Sequence, residues 1–223
     1  MSTHVTQQER LQPRQRIAIT GMGVYTPLGA SPQALLGSIL ASRSGISVLH
    51  QYASLAPHLT IHAGGITGHQ PREWFSEETA RTLERTAQFA AIAAEQARAD
   101  AGLRDSRAER TALVMGVCVG GQDGLVECLE DGRVDASEQA WRLLRSSQYA
   151  QTEAVASLLG VRGPLVTIST ACASSATALG HACVLLRHGK ADVVIAGGSD
   201  AFSLLVHAGF NAVGAIADGP CSP

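Results

Sequence analysis

The chain has 223 residues, 45% of them hydrophobic and only 16% charged, which is enough for one large domain with a sizeable core. A net charge of −2 and an aromatic content of 4% exclude a basic footprint for nucleic acid and a surface built on aromatic anchors. The five cysteines, at 118, 128, 172, 183 and 221, form no C-x-x-C pair and no zinc spacing, so no metal site is expected.

Residues 1–15 are polar, lack the apolar stretch of a signal peptide and read as a flexible tail. No apolar run reaches the roughly 18 residues of a membrane span, and free thiols suit a reducing compartment, so a cytoplasmic location is expected. "RIAITGMGV" (16–24) reads as a short buried strand that runs into a glycine turn. Ser31-Pro32 supplies an N-cap and a first-turn proline for a helix to about Ser42. Residues 43–71, with scattered Gly, Pro and His, read as mostly loop. Ser76 then caps one long helix, with Glu77 and Glu78 at its positive end and Gly102 as its stop.

"RTALVMGVCVGG" (110–121) is a second buried strand ending in glycines. Residues 122–160 read as helical pieces with a break near Asp131-Gly132. "GPLVTIST" (163–170) is a third strand, followed after Cys172 by a helix to about His188. "ADVVIAGGSDA" (191–201) is a fourth strand, with a short helix and a Gly-rich loop beyond it. Near-continuous Val/Ile/Ala strands alternating with helices mark an α/β protein with a mainly parallel, buried sheet between helices.

In "TISTACASSATALGHA" (167–182) strand-forming residues stop at one cysteine and a helix of small residues begins. Unpaired backbone N–H groups and the macrodipole at a helix N-terminus favour thiolate over thiol. The thiol pKa should then fall below the free value of about 8.5, and the same N–H groups can bind an oxyanion. Packing as a small buried hydrophobe is the competing reading, and it is preferred for Cys118, Cys128 and Cys183. No Cys–His pair is evident. His181 lies nine residues on, about 900° around the helix, facing away from Cys172. His188 is further down the helix, and His207 follows the fourth strand. A self-contained thiol protease is not expected on that ground.

Other motifs carry less. "GMGVYT" has Thr26 where a dinucleotide fingerprint needs Gly or Ala, and reads as a tight turn. "GGSDA" (197–201) ends in Ala201 where a nucleophile elbow has Gly, and a Gly-rich turn after a buried strand accounts for it. His58, His62 and His69 read as ordinary loop histidines.

"RIAITGMGVYTPLG", "RTAQFAAIAAEQARADAGL", "GPLVTISTACASSATALGHA", "ADVVIAGGSDA" and "HAGFNAVGAIADGPCSP" follow the order and spacing of the β-ketoacyl-acyl carrier protein synthases, the condensing enzymes of type II fatty-acid and polyketide pathways. The resemblance runs from Arg16 to Pro223. It implies a thiolase-like fold, of which 16–223 would be the N-terminal half. It implies that Cys172 is the catalytic nucleophile, taking an acyl group from the phosphopantetheine thiol of an acyl carrier protein, and that its backbone N–H is one oxyanion donor. By position, Val119 and Phe210 resemble residues lining the acyl pocket. No cofactor beyond the carrier's phosphopantetheine is implied. The expected partners are an acyl carrier protein and a second copy or another synthase subunit in a dimer. The family's decarboxylating histidines and lysine lie in the C-terminal half, so these 223 residues are expected to be inactive alone. Two alternatives stand beside this reading. A non-catalytic partner resembling the chain-length factors is disfavoured because such partners usually lack the cysteine. A thiolase acting on CoA thioesters is disfavoured because its nucleophile lies in a different motif.

Overall fold

The structure is a computed structural model and describes residues 16–50, 61–103, 108–122, 136–217 and 221. At its centre is a three-stranded parallel sheet in the order β4-β3-β5. Strand β3 (Thr111–Gly116) is flanked by β4 (Leu165–Ile168) and β5 (Val193–Gly198). Leu113 pairs with Leu165 on one side and Ile195 on the other. All six β3 residues are buried, as a central strand covered on both faces requires.

Helices α3 (Arg85–Asp100) and α5 (Gln148–Leu159) pack together on one face, and α6 (Ser174–Arg187) covers the other. The core joins Ala87 and Ala91 of α3, Leu113 and Met115 of β3, Val117, and Val155, Ala156 and Leu159 of α5. At the strand entrances, the Arg110 guanidinium donates to both carboxylate oxygens of Asp192, at 3.2 and 2.6 Å.

The remaining elements frame this unit. Helix α1 (Pro32–Leu40) starts as expected, with Ser31 Oγ accepting the Ala34 N–H and Pro32 in the first turn. Two-residue strands β1 (Ser47–Val48) and β2 (His62–Ala63) pair antiparallel inside the expected loop. Helix α4 (Ala136–Ser146) precedes α5, and Ser147 between them caps α5 through the Ala150 N–H. The expected break near Asp131-Gly132 lies outside the described residues. Helix α7 (Leu204–Ala212) follows β5.

Two expectations are corrected. The segment 16–24 is neither buried nor a strand, and Ile19 is 82% exposed. It lies extended along α3, where the Met22 and Val24 N–H groups donate to Asp100 Oδ2 and Gln96 Oε1. Gly21 and Gly23 permit this approach, since a Cβ on either would fall within 2.1 Å of the carbonyl oxygen of Ala97 or Ala93. These glycines serve helix contact rather than a nucleotide turn. The single helix expected from Ser76 to Gly102 is instead two, α2 (Glu77–Thr82) and α3. Leu83 and Glu84 are extended, and Gln88 Nε2–H groups donate to the open carbonyls of Ala80 and Leu83. The signals at the outer ends hold: Ser76 caps the first helix, and Gly102 follows the last in a left-handed conformation.

Candidate active site

The ends of β3, β4 and β5 carry three neighbouring turns, and Cys172 lies in the one between β4 and α6. Ala171, just before it, has φ +51°, a left-handed conformation that a Cβ-bearing residue adopts at a cost of roughly 1–2 kcal/mol. Buried Ser174 holds that geometry. Its Oγ accepts the Thr170 N–H at 2.9 Å and donates to the Ala171 carbonyl at 2.7 Å. The backbone closes the same turn, Ala173 N–H donating to Thr170 and Ser174 N–H to Ala171, each at 3.1 Å. Thr177 Oγ1 adds a bond to the Ala173 carbonyl and accepts from the Thr170 hydroxyl. Cys172 is left exposed at the tip of a tied turn. It stands just ahead of the helix, which begins at Ser174 with Ala173 as its N-cap.

Glycines bring that turn against the sheet. A Cβ at Gly116 would lie 2.5 Å from the Ser174 carbonyl carbon, and one at Gly198 would lie 2.7 Å from Ser175 Cβ. The helix therefore buries only small residues, Ser174, Ala178 and Ala182, spaced four apart along the side facing the strands.

The turn after β3, Cys118–Gly120, is held by side chains from three other elements. Asp200, past the end of β5, accepts the backbone N–H groups of Cys118, Val119 and Gly120 at 3.0, 2.7 and 3.2 Å. Thr86 of α3 donates its hydroxyl to the Gly120 carbonyl at 2.8 Å and accepts the Ala201 N–H at 3.1 Å. Gln148 of α5 donates to the Cys118 carbonyl and to Ser169 Oγ, linking this turn to the one that holds Cys172. Burial, then the charges of Asp200 and Cys172, push the Cys118 thiol pKa up. Cys118 and Cys183 are half-buried rather than buried, while Cys128 lies outside the described residues.

Val119 is half-buried within this turn, whereas Phe210 is on exposed α7. No hydrogen bond or ring contact joins Phe210 to Val119 or Cys172 among the described residues. No histidine hydrogen-bonds Cys172 there either: His188 Nδ1 bonds the Val184 carbonyl, and the His207 ring lies 5.7 Å from that of Phe202. The Ser199 hydroxyl donates to the Thr86 carbonyl at 2.9 Å, which makes it a tie between β5 and α3. No cluster of three potential metal ligands occurs among the described residues.

His69 is more than a loop residue, whereas His58 lies outside the described residues. Its Nε2–H donates to Gln88 Oε1 at 2.7 Å, so Nδ1 accepts from the Tyr25 hydroxyl at 2.9 Å. The Phe89 ring packs edge-on, 5.1 Å away. Burial lowers the His69 pKa and raises that of Tyr25. Sequence reasoning missed Asp200, Thr86 and Gln148, whose spacings of 80, 34 and 30 residues from their partners leave no local pattern. The signal that was available is "GGSDA", an acidic residue straight after a strand and its glycines.

A family model described as β-ketoacyl synthase, N-terminal domain, matches residues 14–223. The chain is 31% identical over 212 residues to 3-oxoacyl-[acyl-carrier-protein] synthase 1 of Haemophilus influenzae, covering 90% of this chain and 50% of that protein. It is 31% identical over 198 residues to the tetracenomycin polyketide synthase ketoacyl synthase alpha subunit of Streptomyces glaucescens, covering 83% of this chain and 46% of that one. Among solved structures, the ishigamide ketosynthase/chain length factor aligns with a TM-score of 0.83 at 24% identity, over 93% of this chain and 53% of that chain. The fold is the thiolase-like one expected, and the chain spans about half the length of the curated relatives it matches.

Proposed function

The chain belongs to the β-ketoacyl synthase family through its N-terminal domain, and from that premise we propose that Cys172 is the acyl-accepting nucleophile of a condensing enzyme. The observation that carries this reading is the exposed thiol in a strained turn at the exit of a sheet strand, tied by Ser174. Strain held in place by surrounding bonds belongs with function more often than with packing.

In the proposed step, the Cys172 thiolate attacks the thioester carbonyl of an acyl group carried on phosphopantetheine. The tetrahedral oxyanion then collapses, expelling the carrier's thiolate and leaving an acyl-enzyme. The Cys172 backbone N–H would be one oxyanion donor. Thioester exchange needs no strong base, so the absence of a histidine bond to Cys172 among the described residues is compatible with loading. Ala171 and Ala173 leave room beside the sulfur for a slender phosphopantetheine arm, and Val119 and Phe210 would line the acyl path. Malonyl-carrier protein would then lose CO₂, and its carbanion would attack the acyl-enzyme carbonyl, breaking the bond to the Cys172 sulfur and releasing its thiolate with a β-ketoacyl-carrier product.

An acyl carrier protein is the partner this chemistry requires. The exposed apolar side chains of α6 and α7 would serve contact with other synthase surfaces, as in a homodimer or a pair with another subunit. Among the described residues no helix is long and apolar enough to cross a membrane, in keeping with the cytoplasmic setting proposed for carrier-borne substrates.

The test is intact mass after incubation with an acyl-carrier thioester. An acyl adduct on the protein that is absent from Cys172→Ala is expected. An adduct of equal stoichiometry in that variant would overturn the assignment. Co-purification with an intact synthase without acylation would favour the chain-length-factor-like reading, and equal loading from CoA thioesters would favour the thiolase.

A further inference from the structure

We propose that Asp200 is a positioning residue that sets which acyl chains Cys172 accepts, by fixing the turn that carries Val119. This deepens the reading above and rests on it. The grounds are geometric. Three successive N–H groups, those of Cys118, Val119 and Gly120, converge on one carboxylate at 3.0, 2.7 and 3.2 Å. Three donors share this one side chain, whereas each bonded carbonyl of the turn is held by a single side-chain bond. The carbonyls are held as well, that of Gly120 by Thr86 and that of Cys118 by Gln148. Gly120, with φ +71°, supplies the bend that lets consecutive amides point the same way.

The tie runs between strand ends. Asp200 follows β5, the turn follows β3, and Gln148 bridges onward to Ser169 at the end of β4, three residues before the nucleophile. The Ser199 N–H donates to the Gly116 carbonyl at 3.1 Å, and the Ser199 hydroxyl and the Ala201 N–H both bond Thr86. Asp200 is thus flanked on both sides by anchored residues and has little freedom to follow the turn if the turn moves. Val119 lies at the middle of the three amides, so this carboxylate fixes the backbone from which its side chain projects. A group that shapes the acyl path changes discrimination between chain lengths. A group that merely supports the fold lowers loading of all chains together.

The experiment compares butanoyl, octanoyl and dodecanoyl thioesters of N-acetylcysteamine as donors to the full chain and to Asp200→Asn. Adducts at Cys172 are read by peptide mass spectrometry and normalised to iodoacetamide alkylation of the same cysteine. The expected result is a change of at least about threefold in the octanoyl-to-butanoyl loading ratio, small against the 10–200-fold that one methylene can command in a pocket. Should Asp200→Asn fail to fold, Asp200→Glu keeps the charge and displaces it by one methylene, with a smaller shift of the ratio expected. A ratio equal to the parent's in the folded variant, or an equal fall for all three donors, overturns the proposal alone. An unmodified Cys172 in the parent with every donor overturns the reading of the site, and this proposal with it.

Discussion

The two faces of the central sheet are built by different means. Against one, α3 and α5 enclose Leu113, Met115, Val117, Val155 and Leu159 in a filled apolar layer. Against the other, α6 buries only Ser174, Ala178 and Ala182, and stands close because Gly116 and Gly198 leave it room. Leu179, Val184 and the α7 side chains Leu205 and Phe210 face outward, each about half exposed. The first face draws its stability from the area removed from water. The second buries smaller side chains and contributes placement, since backbone-to-backbone approach and hydroxyl ties locate the Cys172 turn. Fixing the place of a single exposed side chain depends on this second kind of packing.

Substitutions can break that comparison directly. Leu113→Ala on the filled face should cost about 2–5 kcal/mol in chemical denaturation, whereas Leu179→Ala on the outward side of α6 should stay within ~0.5 kcal/mol. Similar losses for the two leucines would mean that α6 is covered in solution. Gly116→Ala should cost roughly 1–3 kcal/mol, because the new methyl meets the Ser174 backbone and α6 has to move. Its sharper signature is chemical: the iodoacetamide rate at Cys172 should change, while Leu113→Ala in its folded fraction leaves that rate alone. Ser174→Ala removes a buried hydroxyl bonded to Thr170 and Ala171 and should cost about 1–2 kcal/mol. Gly in place of Ala171 in the same background should recover part of the loss, and no recovery would argue against strain there.

The smallest expected effect is a dependence on pH at the edge of the filled face. Burial depresses the His69 pKa, so the unfolded chain binds the proton more readily. The contribution of neutral His69 is fully present above the unfolded value of about 6.5 and is lost as pH falls through the lower, folded value. Denaturation midpoints should therefore decline on acidification below about 6.5, and His69→Gln should flatten that limb. An unchanged slope in the variant would place the acid sensitivity elsewhere.

Most elements were legible in the chain itself. The Ser31-Pro32 start of α1, the buried run at β3, the left-handed Gly102 and the small-residue helix after Cys172 each rest on interactions within one turn or one strand. The element misread most fully was 16–24, whose apolar residues before a glycine turn look like a buried strand while its N–H groups bond side chains of α3 more than seventy residues away. The break at Leu83-Glu84 was missed for a related reason: Gln88 closes the carbonyls of α2, and propensity is blind to that. The placement of Cys172 just ahead of a helix was legible from its context, whereas the strain at Ala171 and the Asp200 clamp were not.

The sequence by itself determined the α/β pattern, the principal helix caps and the identity of the candidate nucleophile, because these depend on residue type and local spacing. Only the tertiary structure decided that 16–24 lies on a helix, that α6 seats on glycines and that one carboxylate gathers three amides 80–82 residues away. The physical reason is that backbone hydrogen bonds are obligatory but their partners are not specified locally. Where strand or helix leaves a donor open, the nearest acceptor in space takes it, and folding alone determines which acceptor that is.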